Sequence, residues 1–451
     1  MVWKPVYILL IILATVVDYY CGVKMGALPV KADRKPYMYF SLLTGLTILC
    51  TFKYYNFFAD SMNGLFTSLN MDYMLPVANL ILPVGISFYT FQTLSYTLDV
   101  YKGKSPPEKH LGKFALYVMF FPQLMAGPIE RAKQLLYQFH FDYKFQWSNM
   151  SRGLRLILLG LFKKIVIADQ LSPLVGHVFN NPEAAQAPAI YLALMFFVMQ
   201  VYCDFSGYSD IARGSARLLS IELMENFNLP LFAKSFTSFW SQWHISLMNW
   251  FRDYIMFPLV KKKIKWPVVF MIVFFISGVW HGANWTFVVW GIYNGLMVVY
   301  TKATLKWRSE LLDRMGLKNM PGFRHAIQTI CVIHIFAFGG FFFRVSSLQE
   351  SWLLMGKMFS DVRPAIESII YNIGNARQDL LYLGKDAVSF YIIVGFVFLL
   401  QLFEWNLRKQ SIDDLMLNMP VPVRYSIYTF AALSIALMAN IEESPFLYFQ
   451  F

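Results

Sequence analysis

Apolar runs long enough to cross, or nearly cross, a ~30 Å hydrocarbon layer recur along this chain, and no other feature constrains its folding more. They lie near Val6–Tyr20, Tyr37–Phe52, Leu75–Tyr96, Leu111–Ala126, Leu154–Ile167, Ala189–Tyr202, Trp266–Trp280, Trp285–Tyr300, Ile327–Phe343, Val388–Phe403 and Tyr425–Met438. In lipid every backbone N–H and C=O must find its partner inside the protein, so such runs become helices. Some fall short of the ~20 residues a perpendicular span needs, which predicts tilted, re-entrant or interfacial helices covered by neighbours or by a water-filled cavity. The expected fold is an all-α, polytopic transmembrane helical bundle. No repeat, Gly/Ser linker or low-complexity tract divides it, so residues 1–451 read as one membrane domain.

Composition agrees with lipid as the solvent. Hydrophobic side chains make up 57% of the chain and charged ones 15%, whereas soluble domains sit near ~45–50% and ~25%. The formal charge of +12 is carried in short clusters between apolar runs, such as Lys261, Lys262, Lys263 and Lys265. That is the pattern of loops retained in the cytoplasm, and it argues against nucleic acid as a partner. Cys21, Cys50, Cys203 and Cys331 are isolated and read as packing residues. The first apolar run lacks a small-residue cleavage site and reads as a retained span.

Between Arg213 and Lys265 charge, aromatics and apolar residues mix without a run of spanning length. Trp240, Trp243, His244, Leu247, Trp250, Phe251 and Tyr254 recur there at helical spacing, predicting an aromatic amphipathic helix at the interface or lining a pocket. Ionisable groups at membrane depth are costly and are kept chiefly for function. Two histidines therefore stand out. His281 follows the apolar run Val268–Val279 and is flanked by Gly278 and Gly282, so a substrate or another helix can approach it. It suits a general base near neutral pH, or equally a buried, hydrogen-bonded histidine, and spacing alone does not choose. His244, on the aromatic stripe, reads more readily as a pocket-lining group.

The stretch Gln200–Asp210 places Asp204, Ser206, Tyr208 and Asp210 directly after an apolar run. These groups either orient a histidine or bind a polar head group, or they end one helix and cap the next. No HxxxH, HExxH, Cys/His set, phosphate loop or dinucleotide fingerprint occurs, so no metal site is expected and nucleotide hydrolysis and hydride transfer drop out.

Five ordered motifs carry a resemblance: Leu82–Gln92 (LPVGISFYTFQ), Phe121–Ile129 (FPQLMAGPI), Asp204–Asp210 (DFSGYSD), Trp243–Ser246 (WHIS) and Trp280–Ala283 (WHGA). Together the chain resembles the membrane-bound O-acyltransferase family. Within it, the closer likeness is to the bacterial branch of the alginate O-acetylation protein, and the more distant one to the membrane protein of teichoic-acid D-alanylation. The resemblance runs to the closing Ser444–Phe451. It implies a further apolar segment ahead of Trp3-Lys4-Pro5, so the start is expected to be either truncated or misassigned.

The resemblance implies a helical bundle around a central funnel or tunnel, with His281 as the catalytic residue and His244 as a second active-site residue. Asp204, Ser206, Tyr208, Asp210, Trp240, Trp243, Trp280 and Asn284 are the expected substrate-binding neighbours; nearness in sequence, rather than the resemblance, suggests Asn284 as a donor beside His244 near the oxyanion. The implied reaction moves a short acyl group, acetyl, from a cytoplasmic thioester to a hydroxyl of an extracellular or cell-wall polysaccharide. Acetyl-coenzyme A or an acyl-carrier thioester serves as substrate, and no bound cofactor is expected. Membrane lipid and a periplasmic or surface acyl-carrying, acetylesterase-like protein are the expected partners, and the location is the bacterial cytoplasmic (inner) membrane. D-alanyl transfer to teichoic acid and a polytopic transporter or flippase are the alternative readings.

Overall fold

A computed structural model describes residues 5–78, 80–371, 376–439 and 446–447. Trp3, Lys4 and most of the closing Ser444–Phe451 motif fall outside the described residues. Those described form helices and loops, with no strand among them. The chain packs into two compact units, Met1–Met150 with Ser215–Met224, and Ser151–Gly214 with Glu225–Phe451.

In the first unit α1 (Ile8–Ala27), α2 (Lys35–Leu49) and α3 (Ile86–Tyr101) pack together. Asp18 of α1, Ser41 of α2 and Thr97 of α3 join through a chain of hydroxyls, Ser41 Oγ to Asp18 Oδ1 at 2.5 Å and Ser41 Oγ to Thr97 Oγ1 at 2.7 Å. Such links join helices whose apolar faces lipid would solvate equally well. The expected span Leu75–Tyr96 becomes helical only at Ile86, because Pro76 and Pro83 interrupt it and Gly85 turns left-handed at φ 78°. A Cβ on Gly85 would lie 2.4 Å from the Leu124 carbonyl oxygen, so the first two motifs meet at this glycine. The expected span Leu111–Ala126 is likewise short. Its helix stops at Met119, Phe120 is extended, and Pro122 follows.

The second unit holds α4 (Trp147–Leu161, whose first residues belong to the first unit), α5 (Ala187–Leu218), α6 (Phe236–Gln242), α7 (Ile245–Phe251), α8 (Trp266–His281), α9 (Trp285–Ala303), α10 (Pro321–Arg344), α11 (Ala387–Leu407) and α12 (Val421–Met438). Among the described residues five helices are long and apolar enough to cross a membrane: Pro5–Ala27, α5, α10, α11 and α12. Their exposed apolar side chains, including Leu437, Val388 and Val6, suit contact with lipid.

α8 and α9 form an antiparallel pair closed by glycines. A Cβ on Gly278 would sit 2.3 Å from the Phe287 carbonyl oxygen, and one on Gly291 2.4 Å from that of Phe274. The small residues flanking His281 thus admit a helix at close range. α10 runs antiparallel to α9: Arg324 reaches Ser309 at one end, and Asn284 donates to the Ser346 carbonyl at the other.

Candidate active site

The aromatic stripe does not form one helix. Ser235 caps α6 by accepting the Ser238 N–H at 3.1 Å, α6 ends at Gln242, Trp243 is extended, and His244 takes the left-handed conformation at φ 46° and ψ 51° before α7 begins. A non-glycine residue there costs about 1–2 kcal/mol. Asn226, fully buried, holds the turn. Its carbonyl accepts from Ile245 N–H at 2.9 Å, and its Oδ1 accepts from Ser246 N–H at 3.1 Å and Ser246 Oγ at 2.9 Å.

His244 Nδ1 lies 3.2 Å from that same Oδ1. Because a main-chain N–H already identifies the atom as the amide oxygen, Nδ1 must be the protonated ring nitrogen, which leaves Nε2 with its lone pair. His244 lies outside the helices long enough to span, and burial pushes its imidazole down to about 3, so the ring is neutral.

His281 is the last residue of α8. Its ring stands edge-on to Trp290 at 4.9 Å, Trp280 at 5.1 Å and Phe343 at 5.4 Å. His244 is 6.1 Å from Trp280 and 4.6 Å from Phe205. The Trp280 indole therefore touches both imidazoles. A cavity of about 30 Å³ opens beside His281, bounded by Trp243, Trp290, Phe205, Phe336 and Phe343 among others. At ~10–15 Å³ per water-sized group, it holds two or three such groups. Trp240 packs beneath, against Phe274, Trp290 and Phe336.

The 204–210 motif does not end a helix, since α5 runs through it. Its carboxylates face lysines rather than histidines. Lys164 Nζ is 2.8 Å from Asp204 and 2.7 Å from Asp169, while Lys163 Nζ is 2.9 Å from Asp210 and 3.3 Å from Glu404. Both lysines belong to a π-helical turn, Phe162–Ala168, and point toward carboxylates from consecutive positions. Asp204 Oδ2 also accepts the Leu447 N–H at 2.8 Å, Tyr208 packs on Phe446 at 5.1 Å, and Ser206 is buried. This layer adjoins the histidines through Phe205 and through Tyr202, which contacts Trp243 at 6.2 Å and donates to Glu404 at 2.7 Å.

Asn284, expected as an oxyanion donor, has its amide committed elsewhere. Its Oδ1 caps α9 by accepting the Thr286 N–H at 3.0 Å, and its Nδ2 donates to the Ser346 carbonyl at 2.9 Å. Among the described residues no group of three or more His, Cys, Asp or Glu side chains is placed to hold a metal ion.

The sequence profile of the membrane-bound O-acyltransferase family matches residues 106–347, a stretch that contains both histidines and the carboxylate motif. The chain belongs to that family. It is similar to the probable alginate O-acetylase AlgI of Pseudomonas aeruginosa, 34% identical over 364 residues that cover 79% of this chain and 67% of the relative. It is also similar to the peptidoglycan O-acetyltransferase of Helicobacter pylori, 31% identical over 338 residues covering 68% and 63%. The teichoic acid D-alanyltransferase of Bacillus subtilis is 26% identical over 294 residues, 59% and 70% of the two chains. The chain is a multi-pass membrane O-acyltransferase.

In this acyltransferase the structure brings together His281, His244, Trp280, Trp243 and Trp240, and sets Asp204 and Asp210 in an ion-pair layer behind them. Sequence reading missed Asn226, which stands in an unpatterned Glu-Asn-Phe-Asn stretch. It also passed over Lys163 and Lys164, although two lysines inside an apolar run are a legible signal.

Proposed function

We propose that this acyltransferase, acting as one membrane domain, moves an acetyl group from a cytoplasmic thioester to a hydroxyl on the outer side of the bacterial cytoplasmic membrane. The observation that carries the reading is the pair of imidazoles joined by Trp280, with a small apolar cavity beside His281. His281 takes the proton from the attacking hydroxyl as its oxygen adds to the thioester carbonyl, a role that contributes ~10²–10⁴ in rate. The tetrahedral intermediate then collapses, the C–S bond breaks, and the proton passes to the departing thiolate. His244, whose Nε2 is an acceptor in this tautomer, orients the attacking hydroxyl rather than the carbonyl oxygen.

The tautomer of His244 favours a second reading, in which its unprotonated Nε2 is the base and His281 the stabilising group. The cavity supports acetyl over D-alanyl by size, because about 30 Å³ holds two or three water-sized groups, enough for an acetyl but not for the two further heavy atoms of D-alanyl. The acceptor we infer is a polysaccharide, in keeping with the alginate and peptidoglycan named for two relatives. Final delivery falls to a periplasmic or surface acyl-carrying, acetylesterase-like partner.

The test uses purified full-length chain in lipid nanodiscs, an acetyl thioester labelled in the acyl group, and an acetylatable polysaccharide with candidate partner proteins. Label moving to acceptor hydroxyls supports the reading. Absence of acetyl release from coenzyme A and carrier thioesters alike overturns it.

A further inference from the structure

Among the described residues α11 and α12 are the least buried of the helices long enough to span, and they flank a cavity that the acyl-transfer chemistry does not use. It lies in the second unit, measures about 240 Å³, and is bounded by α4, α11, α12 and the short helix Ile412–Asn418 between the last two. Arg155, Leu158, Leu159 and Phe162 line it from positions i, i+3, i+4 and i+7, one face of α4 and its continuation. Among the described residues only Arg155 and Tyr428 bring a side-chain nitrogen or oxygen to the lining. Leu399 of α11 and Phe430 of α12 line the cavity and are also exposed, so it opens sideways toward the surrounding hydrocarbon. An apolar cavity of ~150 Å³ already excludes water and takes up a guest the size of benzene. One of about 240 Å³ that opens to a bilayer suits an acyl chain.

One end of this cavity is cationic. Arg155 pairs with Asp413 of the short helix, and Arg152, one turn earlier in α4, reaches the same carboxylate at 3.3 Å while remaining nearly half exposed. Arg424 opens α12 one turn before Tyr428 and on the same helix face. The remaining carboxylate here, Asp414, accepts from the Ser411 hydroxyl at 2.7 Å. Three guanidiniums, of Arg152, Arg155 and Arg424, thus stand against two carboxylates, and the surplus of one matches a phosphodiester. Guanidinium groups take phosphate oxygens by strong, charge-assisted hydrogen bonds.

The cationic end lies toward the cytoplasm. Arg408 and Lys409 follow α11 just before Asp413, and Arg408 shares a concavity with His325 from the start of α10. Because α8, α9 and α10 alternate in direction, the start of α10 lies with Lys302 and Arg308 at the end of α9 and with Lys261–Lys265 ahead of α8. Short loops this basic are retained inside. The cytoplasmic leaflet is also the one whose anionic lipids are drawn to basic pockets between spanning helices.

We propose that α4, α11 and α12 bind one anionic glycerophospholipid of the cytoplasmic leaflet, its phosphate at Arg152 and Arg155 and an acyl chain in the cavity. Phe162 lines the cavity and begins the π-helical turn that carries Lys163 and Lys164. The acyl chain packs against this turn, whose lysines pair with Asp210 and Asp204, and filling the cavity stabilises that layer.

The test places the full chain in nanodiscs of phosphatidylcholine alone or mixed equally with phosphatidylglycerol. Thermal midpoints are measured in both, and the lipids retained from the mixture after release into detergent are identified by native mass spectrometry. The native chain is expected to retain phosphatidylglycerol over phosphatidylcholine at least about fivefold and to melt at a higher temperature when phosphatidylglycerol is present. Arg152→Gln should lower that preference about fivefold, whereas Lys306→Gln, the same charge change beyond the end of α9, should leave it intact. Ala431→Phe fills the cavity without altering a charge and should abolish both the retention and the rise in Tm. Arg152→Gln leaves the Arg155–Asp413 pair in place and decides the matter if Ala431→Phe does not fold. Equal retention of the two lipids, retention of a single-chain fatty acid in their place, or no retained lipid overturns the proposal. So does an equal loss of preference in Lys306→Gln and Arg152→Gln, the response of a chain of formal charge +12 to any anionic surface.

Discussion

Asn226→Ala removes one oxygen that serves three donors at the His244 turn. At ~1 kcal/mol net for each hydrogen bond, the folded state loses about 3 kcal/mol, and the left-handed backbone at His244 is left without its main restraint. The larger effect falls on chemistry. His244 becomes free to rotate and to change tautomer, and loss of one well-aimed contact in an active site costs ~10²–10³ in kcat. We therefore expect Asn226→Ala to lower acetyl transfer at least ~10²-fold per folded molecule, with folded protein quantified by fluorescence-detected gel filtration. The decisive assay is the double-mutant cycle. If Asn226 acts through His244, adding Asn226→Ala to His244→Gln lowers the rate by only a few fold further, a coupling of ~2 kcal/mol or more. Equal fold-losses in both backgrounds refute the reasoning and leave Asn226 as a packing residue.

Burial of neutral His244 gives a pH prediction with a defined sign. Its folded value of about 3 lies below the ordinary 6.5, so between the two the unfolded chain binds a proton that the folded chain does not. Stability is unaffected above 6.5 and falls as pH drops below it, by ~1.4 kcal/mol per unit, and detergent melting should show a smaller fall in Tm from pH 7.5 to 5.5 for His244→Gln than for the native chain. Gly278→Ala places a methyl 2.3 Å from the Phe287 carbonyl oxygen and should cut the yield of extracted folded protein, whereas Gly395→Ala, with nothing within 4 Å, should not. Single cysteines in Lys261–Lys265 should resist a membrane-impermeant maleimide applied to intact cells, and labelling from outside contradicts the cytoplasmic assignment.

The apolar runs made the bundle legible in sequence because lipid leaves helices as the only spanning choice for them. What periodicity did not show was where the backbone departs from a helix. The spacing from Trp240 to Tyr254 fits one amphipathic helix, yet the structure breaks it at His244, because Asn226, distant in sequence, satisfies the turn. The reverse happened at Asp204–Asp210. There polar residues fitted a helix end as well as a binding cluster, but Lys163 and Lys164 from a π-helical turn pair with them and α5 continues. His281 was legible as an ionisable residue at membrane depth, and Trp280 only as part of the motif Trp280–Ala283 that carries the resemblance. Asn284 was chosen for its nearness in sequence and proved to be a helix cap, a role its position just before an apolar run also predicts.

Acetyl transfer by His281→Gln, normalised to correctly extracted protein, bears most directly on the central claim. Glutamine keeps the size and some hydrogen bonding of the imidazole but takes up no proton near neutrality. If His281 is the general base, the variant folds as the native chain does and its rate falls at least ~10²-fold. A rate within a few fold of native contradicts the assignment and leaves the imidazole at the end of α8 a packing group.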